Sequence, residues 1–222
     1  MTGLVLGLDT STVVAVGLAR SGESVASAVV ADRMAHVEQL VPLVRQCLDG
    51  AGHRLVDVEA IVVGLGPGPF TGLRVGIVTA RTLGSVLKVG VHGVCSLDVI
   101  AAQAPGVAGG GEFLVAIDAR RREVYWARYD GAGRRIDGPH VSSPDDLPRL
   151  PTVGPAADLY ADRLVAVPGP RTLDPGVLAA RGPGLPDAGI EPLYLRRPDA
   201  IEPTRRKSVL HHFGPTAPAA PR

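Results

Sequence analysis

Residues 64–76 constrain this chain more than any other stretch. Gly64-Leu65-Gly66-Pro67-Gly68-Pro69-Phe70-Thr71-Gly72-Leu73-Arg74-Val75-Gly76 follows a strand-sized apolar run at 61–65. It leads into helical spacing from 71 to 87, with Leu73, Ile77, Ala80, Leu83 and Leu87 on one face. Glycines permit backbone angles and close approaches that other residues cannot make, and prolines stiffen a turn. A second strand at 89–94 completes a strand–helix–strand unit, which implies a parallel pair joined by a right-handed crossover. Thr71 can cap the helix, whose free N–H groups could hold an anion. No Gly-Lys-Ser/Thr follows, so the turn is not a P-loop. Three readings stay open for the string: a rigid turn allowing a close helix crossing, a partner contact, and phosphate binding.

The segments around it fill out a mixed sheet. Residues 4–9, 12–19 and 24–30 read as consecutive strands of an antiparallel meander. His36, Leu40, Leu43, Val44, Cys47 and Leu48 are spaced three and four apart, one face of a helix ending at Gly50. Pro42 inside it must kink the helix or mark its start. A third helix is expected at 96–104, with Ser96 as its cap and Asp98 in its first turn. The fold class is therefore α/β, a mixed five-stranded sheet covered by helices. After a joint at 106–111, residues 113–119 and 123–129 read as a further strand pair. From 130 to 188 Pro, Gly and Arg dominate, so only a reduced second lobe is expected there. The resulting division is 1–105, 106–200 and a disordered tail at 201–222 carrying His211-His212.

Composition excludes several functions. At 222 residues with 45% hydrophobic content the chain can bury a core without staples. Its apolar runs fall well short of the roughly 20 residues a membrane helix needs. Met1-Thr2-Gly3 lacks the basic and apolar segments of a secretion signal, and Cys47 and Cys95 sit far apart. A cytoplasmic protein with reduced thiols and no membrane association is expected. Net charge is +1 and aromatic residues make up 4%. A chain that grips nucleic acid alone usually shows a basic excess and stacking aromatics. Arg120-Arg121-Arg122 and Arg205-Arg206-Lys207 are short, so contact with RNA is expected only through a partner.

Asp9-Thr10-Ser11-Thr12 lies at the first strand-to-strand turn. It reads either as an Asx or Ser/Thr turn satisfying its own backbone or as a phosphate-loop position. His36-Val37-Glu38-Gln39-Leu40 has one histidine where a metal-binding helix needs ligands one turn apart, so no metal site is expected. Neither a Gly-x-Ser-x-Gly elbow nor a paired-cysteine motif occurs. Asp118-Ala119-Arg120, the candidate phosphate loop of the second lobe, lacks the glycines that would let a phosphate approach.

These stretches together resemble the bacterial TsaB (YeaZ) family. The resemblance is carried by the Leu-Gly-Leu-Asp-Thr-Ser-Thr opening, by His36-x-Glu38-x-Leu40 with Pro42, and by the glycine string. Ile117-Asp118-Ala119-Arg120 with Glu123-Val124-Tyr125 and the late Pro192-Leu193-Tyr194-Leu195-Arg196 extend it. Pro69, where the family often has Ser, departs from the pattern. The resemblance implies an actin-like ATPase (ribonuclease-H-like) fold with a complete first lobe and a reduced second one. It implies a non-catalytic scaffold for the larger paralogue TsaD, working with the ATPase TsaE. That assembly places a threonylcarbamoyl group on N6 of an adenosine beside the anticodon of tRNAs reading codons that begin with A. Metal and nucleotide would belong to TsaD, whose matching helix carries two histidines where this chain has His36 and Leu40.

By the same resemblance, the two helices form the contact face through His36, Leu40, Leu43, Val44, Cys47, Phe70, Thr71, Leu73, Arg74 and Ile77. The face would pair two copies of the chain, or one copy with TsaD. Asp9, Thr10 and Ser11 would be a vestigial phosphate loop. The chain would need no cofactor of its own, with ATP or ADP at or near the partner interface. Two alternatives stand beside this reading. One is an actin-like ATPase or kinase, or a metal-dependent peptidase, built on Asp9 and His36. The other is a direct RNA-binding module.

Overall fold

The structure, a computed structural model, describes residues 2–30 and 36–196, the side chains of 36 and 37 excepted. The tail at 201–222, with His211-His212, lies outside the described residues. Three strands open the chain: β1 (Leu4–Asp9), β2 (Val14–Arg20) and β3 (Glu23–Val30). Helix α1 (His36–Gly50) precedes β4 (Val58–Gly64), and α2 (Phe70–Leu87) connects β4 to β5 (Gly90–Val94). The sheet order is β3-β2-β1-β4-β5, with the first three strands antiparallel and β1, β4 and β5 parallel. This is the mixed sheet expected from the sequence. Helix α1 runs through Pro42, which is exposed, so Pro42 does not mark its start.

A short helix, α3 (Ser96–Ala102), leads to the second half. There the strands are β6 (Phe113–Asp118), β7 (Val124–Tyr129), β8 (Arg135–Ser142), β9 (Pro151–Val153) and β10 (Val165–Ala166), with α4 (Pro155–Leu159) between the last two. Their order, β8-β7-β6-β9-β10, repeats that of the first sheet. Among the described residues the second half thus carries a five-stranded sheet of its own, with short helices: α4 has 5 residues and α5 (Pro175–Arg181) has 7.

The layers follow from strand alternation. Leu4, Leu6 and Leu8 of β1 point with Val16, Leu18, Ile61 and Val63 toward α1 and α2. Val5, Ala15 and Val62 point the other way, into a core shared with α3, α5 and the inner face of the second sheet, including Val115, Ile117 and Tyr129. Helix α5 lies across β1, β2 and β3 although it belongs by sequence to the second half. Gly7 and Gly17 pair in register and make room for it: a Cβ at Gly7 would stand 2.9 Å from the Ala179 nitrogen, and one at Gly17 would collide with the Pro175 carbonyl. Asp174 caps α5 by accepting from Gly176 N (2.7 Å) and Val177 N (3.3 Å), and Pro175 sits at its first position. Among the described residues no helix is long and apolar enough to cross a membrane.

Candidate functional site

Asp9 ends β1 and is 1% exposed. Its Oδ1 accepts from Ser11 N (2.8 Å) and Ser11 Oγ (2.6 Å), and its Oδ2 accepts from Ser96 Oγ (2.5 Å). Ser96 Oγ in turn accepts from Gly66 N (3.1 Å), and Thr10 Oγ1 donates to the Gly72 carbonyl (2.8 Å). Burial pushes the Asp9 carboxyl above its ordinary range, and the Ser11 and Ser96 hydrogen bonds only partly oppose this. Thr10 and Ser11 are buried as well.

The glycine string explains how the turn is closed. A Cβ at Gly64 would collide with Asp9 Oδ2, and one at Gly68 would stand 2.6 Å from the Ser11 carbonyl. At Gly72 it would stand 2.7 Å from the Thr10 carbonyl, and at Gly76 it would strike Thr10 Oγ1. Four glycines at intervals of four therefore line the Asp9-Thr10-Ser11 turn and bring β4, its rigid turn and α2 down onto it. The N-cap of α2 is Pro69; Thr71 is exposed inside the helix and makes no cap bond, contrary to expectation. Ser96 likewise is not a cap: Cys95 holds that position, and the Ser96 hydroxyl serves Asp9 instead.

The proposed contact residues divide sharply. Leu40, Leu43, Val44, Cys47, Leu73 and Ile77 are buried against the first sheet, so this apolar stripe is core and cannot itself touch a partner. The outward sides of the same helices carry Val41, Val78 and Val86, exposed by 58%, 59% and 70%. His36 opens α1, its side chain outside the described residues. Phe70 stacks on Tyr194 at 4.7 Å between ring centroids, and the Arg74 guanidinium lies 3.8 Å over the Phe70 ring while Arg74 Nε donates to Tyr194 Oη (3.0 Å).

Tyr194 belongs to a strap, residues 191–196, that crosses between the halves. Leu193 N donates to the Leu65 carbonyl (2.9 Å). Arg196 reaches the β6–β7 hairpin, donating to the carbonyls of Ala119 (2.8 Å) and Arg120 (3.5 Å) and pairing with Glu123. At the tip Glu123 N donates to Arg120 O (3.1 Å), closing a turn with φ of 55° at Arg121 and 61° at Arg122; Arg120 too is at 61°. Left-handed backbone costs a residue with a side chain about 1–2 kcal/mol, and Asn-Gly is the usual pair for such a turn. Asp118 accepts from Arg120 N (3.0 Å) and hydrogen-bonds Tyr160.

A second buried cluster escaped the sequence reading. Asp98, expected only as a first-turn acid, accepts from Tyr129 Oη (2.8 Å) beside Arg135 Nε at 3.4 Å. Burial raises its carboxyl and, aided by the Asp98 charge, pushes the nearby Cys95 thiol up to about 12. The sequence marked Arg135 and Tyr129 with nothing beyond their residue types.

Comparison with known proteins accords with this architecture. The profile of the family described as TsaD, tRNA N6-adenosine threonylcarbamoyltransferase, matches residues 28–175. The uncharacterized protein ML0378 of Mycobacterium leprae is 44% identical over 210 residues, covering 89% of this chain and 56% of that protein. The tRNA threonylcarbamoyladenosine biosynthesis protein TsaB of Escherichia coli is 40% identical over 94 residues, 42% of this chain and 41% of the relative. The chain thus spans about half the length of these curated relatives. The solved structure of YeaZ from Pseudomonas aeruginosa superposes with a TM-score of 0.71 at 30% identity, covering 87% of this chain and all of that one. With the glycine string, the buried Asp9 turn and the doubled sheet order already in place, these likenesses show that the chain belongs to the TsaB (YeaZ) family.

Proposed function

We propose that this chain is a non-catalytic subunit that supports a TsaD homologue in forming N6-threonylcarbamoyladenosine in tRNAs reading codons that begin with A. The observation that carries the reading is the closure of the Asp9 turn. An actin-like ATPase needs that carboxylate free for metal and phosphate, whereas here both oxygens accept from Ser11 and Ser96 beneath α2. Names among the relatives support the pathway: tRNA threonylcarbamoyladenosine biosynthesis for the Escherichia coli protein and threonylcarbamoyltransferase for the matching profile.

The partner face is the outward side of α1 and α2, centred on Val41, Val78 and Val86 and bordered by the Phe70–Arg74–Tyr194 stack. Large exposed apolar side chains gathered on one face mark an interaction surface. The same face pairs two copies when the chain is alone. TsaE joins the assembly, ATP or ADP sits at or near the partner interface, and the assembly works in the cytoplasm.

Size-exclusion chromatography with light scattering, on this chain mixed with its TsaD homologue with and without ATP, tests the reading. A one-to-one complex lost on Val41→Glu and Val78→Glu is expected. Leu40 and Leu73 are unsuitable targets because a charge there would unfold the core. Persistence of the complex in the valine variants would remove the face, and product formed at full rate without this chain would remove the supporting role. ATP turnover by the chain alone, abolished by Asp9→Ala, would establish the ATPase alternative instead.

A further inference from the structure

We infer that the buried Asp98 cluster is the floor of a binding site for a small organic anion that carries a hydroxyl group. The inference stands apart from the pathway reading above. A cavity of about 510 Å³ opens between α3, the β7–β8 turn and the segment after α5, where the two halves of the chain meet. Sites for small molecules span about 300–1,000 Å³ and favour such junctions. Asp98, Arg134, Arg135 and Arg181 supply the charge of the lining, and Leu185 and Pro186 part of its apolar wall. No residue of α1 or α2 lines it, so it is separate from the proposed partner face.

Asp98 is 3% exposed and only half satisfied. Its Oδ1 accepts from Tyr129 Oη, whereas its Oδ2 is buried without a hydrogen-bond partner. Native proteins seldom leave such an atom unpaired unless a bound group or a function accounts for it. A hydroxyl suits Oδ2 in either protonation state, since it donates to a carboxylate and accepts from the acid. Arg135 Nε stands 3.4 Å from Oδ1, longer than a well-formed N–H···O bond. The Arg135 guanidinium is thus free to turn to an anion in the cavity, and that turn admits the ligand's hydroxyl to Oδ2. Arg181 is anchored through the Ala102 carbonyl (2.6 Å) and pairs with no carboxylate among the described residues. Guanidinium groups match carboxylate and phosphate oxygens in a planar, bidentate fashion. The rim is already set: Asp130 accepts from Ala132 N (3.0 Å) and Arg134 N (2.9 Å) and pairs with Arg134 Nε (2.8 Å). Arg134 is thereby neutralised locally, which leaves Arg135 and Arg181 to hold the anion.

The test titrates the full chain with glycerate and with glycerol 3-phosphate, a hydroxylated carboxylate and a hydroxylated phosphate, and reads binding by NMR. At least one should saturate with a Kd of about 1 mM or tighter, and the tighter of the two identifies the anionic group. Propionate and methyl phosphate, which lack the hydroxyl, should bind about tenfold more weakly than their hydroxylated counterparts. The carboxyl carbon resonance of Asp98 should move with the hydroxylated probe and stay in place with its counterpart. Arg181→Gln, which can still donate to the Ala102 carbonyl, should weaken the hydroxylated probe about tenfold. No saturable binding of either hydroxylated probe overturns the inference, as does equal affinity for probes with and without the hydroxyl. Binding that leaves the Asp98 resonance unmoved overturns it too, and this reading needs no variant to fold.

Discussion

The Ser96 hydroxyl donates to Asp9 Oδ2 across 2.5 Å and accepts from Gly66 N, tying the start of α3, the end of β1 and the glycine turn together at one oxygen. Ser96→Ala would leave a buried carboxylate oxygen and a buried backbone N–H without partners. A loss of about 3 kcal/mol is expected, read from urea unfolding. A change within experimental error would mean that the turn can relax around the missing hydroxyl.

Asp9 also sets a pH dependence. Burial holds its folded carboxyl above the ordinary range, so the folded chain keeps a proton that the unfolded chain has released. The stability this group contributes is full below the unfolded value of about 3.9 and is lost as pH rises through the folded value. The stability difference between wild type and Asp9→Asn should therefore decline over that window and flatten above it. Asp98, raised in the same direction, cancels in the difference. A difference that increases with pH would show Asp9 to be ionised in the fold.

Gly76→Ala offers a contrast with ordinary helix behaviour. In an exposed helix the change gains about 1 kcal/mol. Here the new methyl meets Thr10 Oγ1, and a loss of about 1–3 kcal/mol is expected. Thr10→Ala in the same chain should recover part of it, with a coupling energy of about 1 kcal/mol in a double-mutant cycle. Strict additivity would place the clash elsewhere.

Arg196→Ala removes the clamp on the hairpin and leaves the first sheet untouched. Hydrogen exchange should quicken at amides 119–124, while β1, β4 and α2 keep their protection. Equal acceleration across both sheets would make the strap a global support.

Both thiols are free and buried, and burial raises each of them, Cys95 to about 12. Neither should react with an aromatic disulfide reagent at pH 8 under native conditions, and both should react in urea. Fast native reaction of Cys47 would mean that α1 opens readily from the sheet.

The first half of the fold was legible because its elements are long enough for hydrophobic spacing to speak. The meander, α1 ending at Gly50 and the β4–α2–β5 crossover all came from period and turn residues. The same spacing could not say what covers an apolar stripe. The resemblance made Leu40 and Leu73 part of a contact face, but the chain's own sheet covers them, and it is Val41 and Val78, one position on from Leu40 and Ile77, that face outward. In the second half β9 and β10 have three and two residues, too few to show alternation, and β8, though eight residues long, is interrupted by Gly138-Pro139 and holds only two large apolar residues. Ser96 was misassigned for a different reason. A serine at the head of a helix looks the same whether it caps the helix or serves a carboxylate 87 positions earlier.

Gly7 and Gly17 leave the first sheet with a bare trough that Pro175–Arg181 fills. On the ribosome, that sheet emerges long before its covering helix does. The amino-terminal half must therefore wait, that trough open, until residues 175–181 have been made. A protein split near residue 105 would leave Gly7 and Gly17 in one fragment and the helix that packs on them in the other.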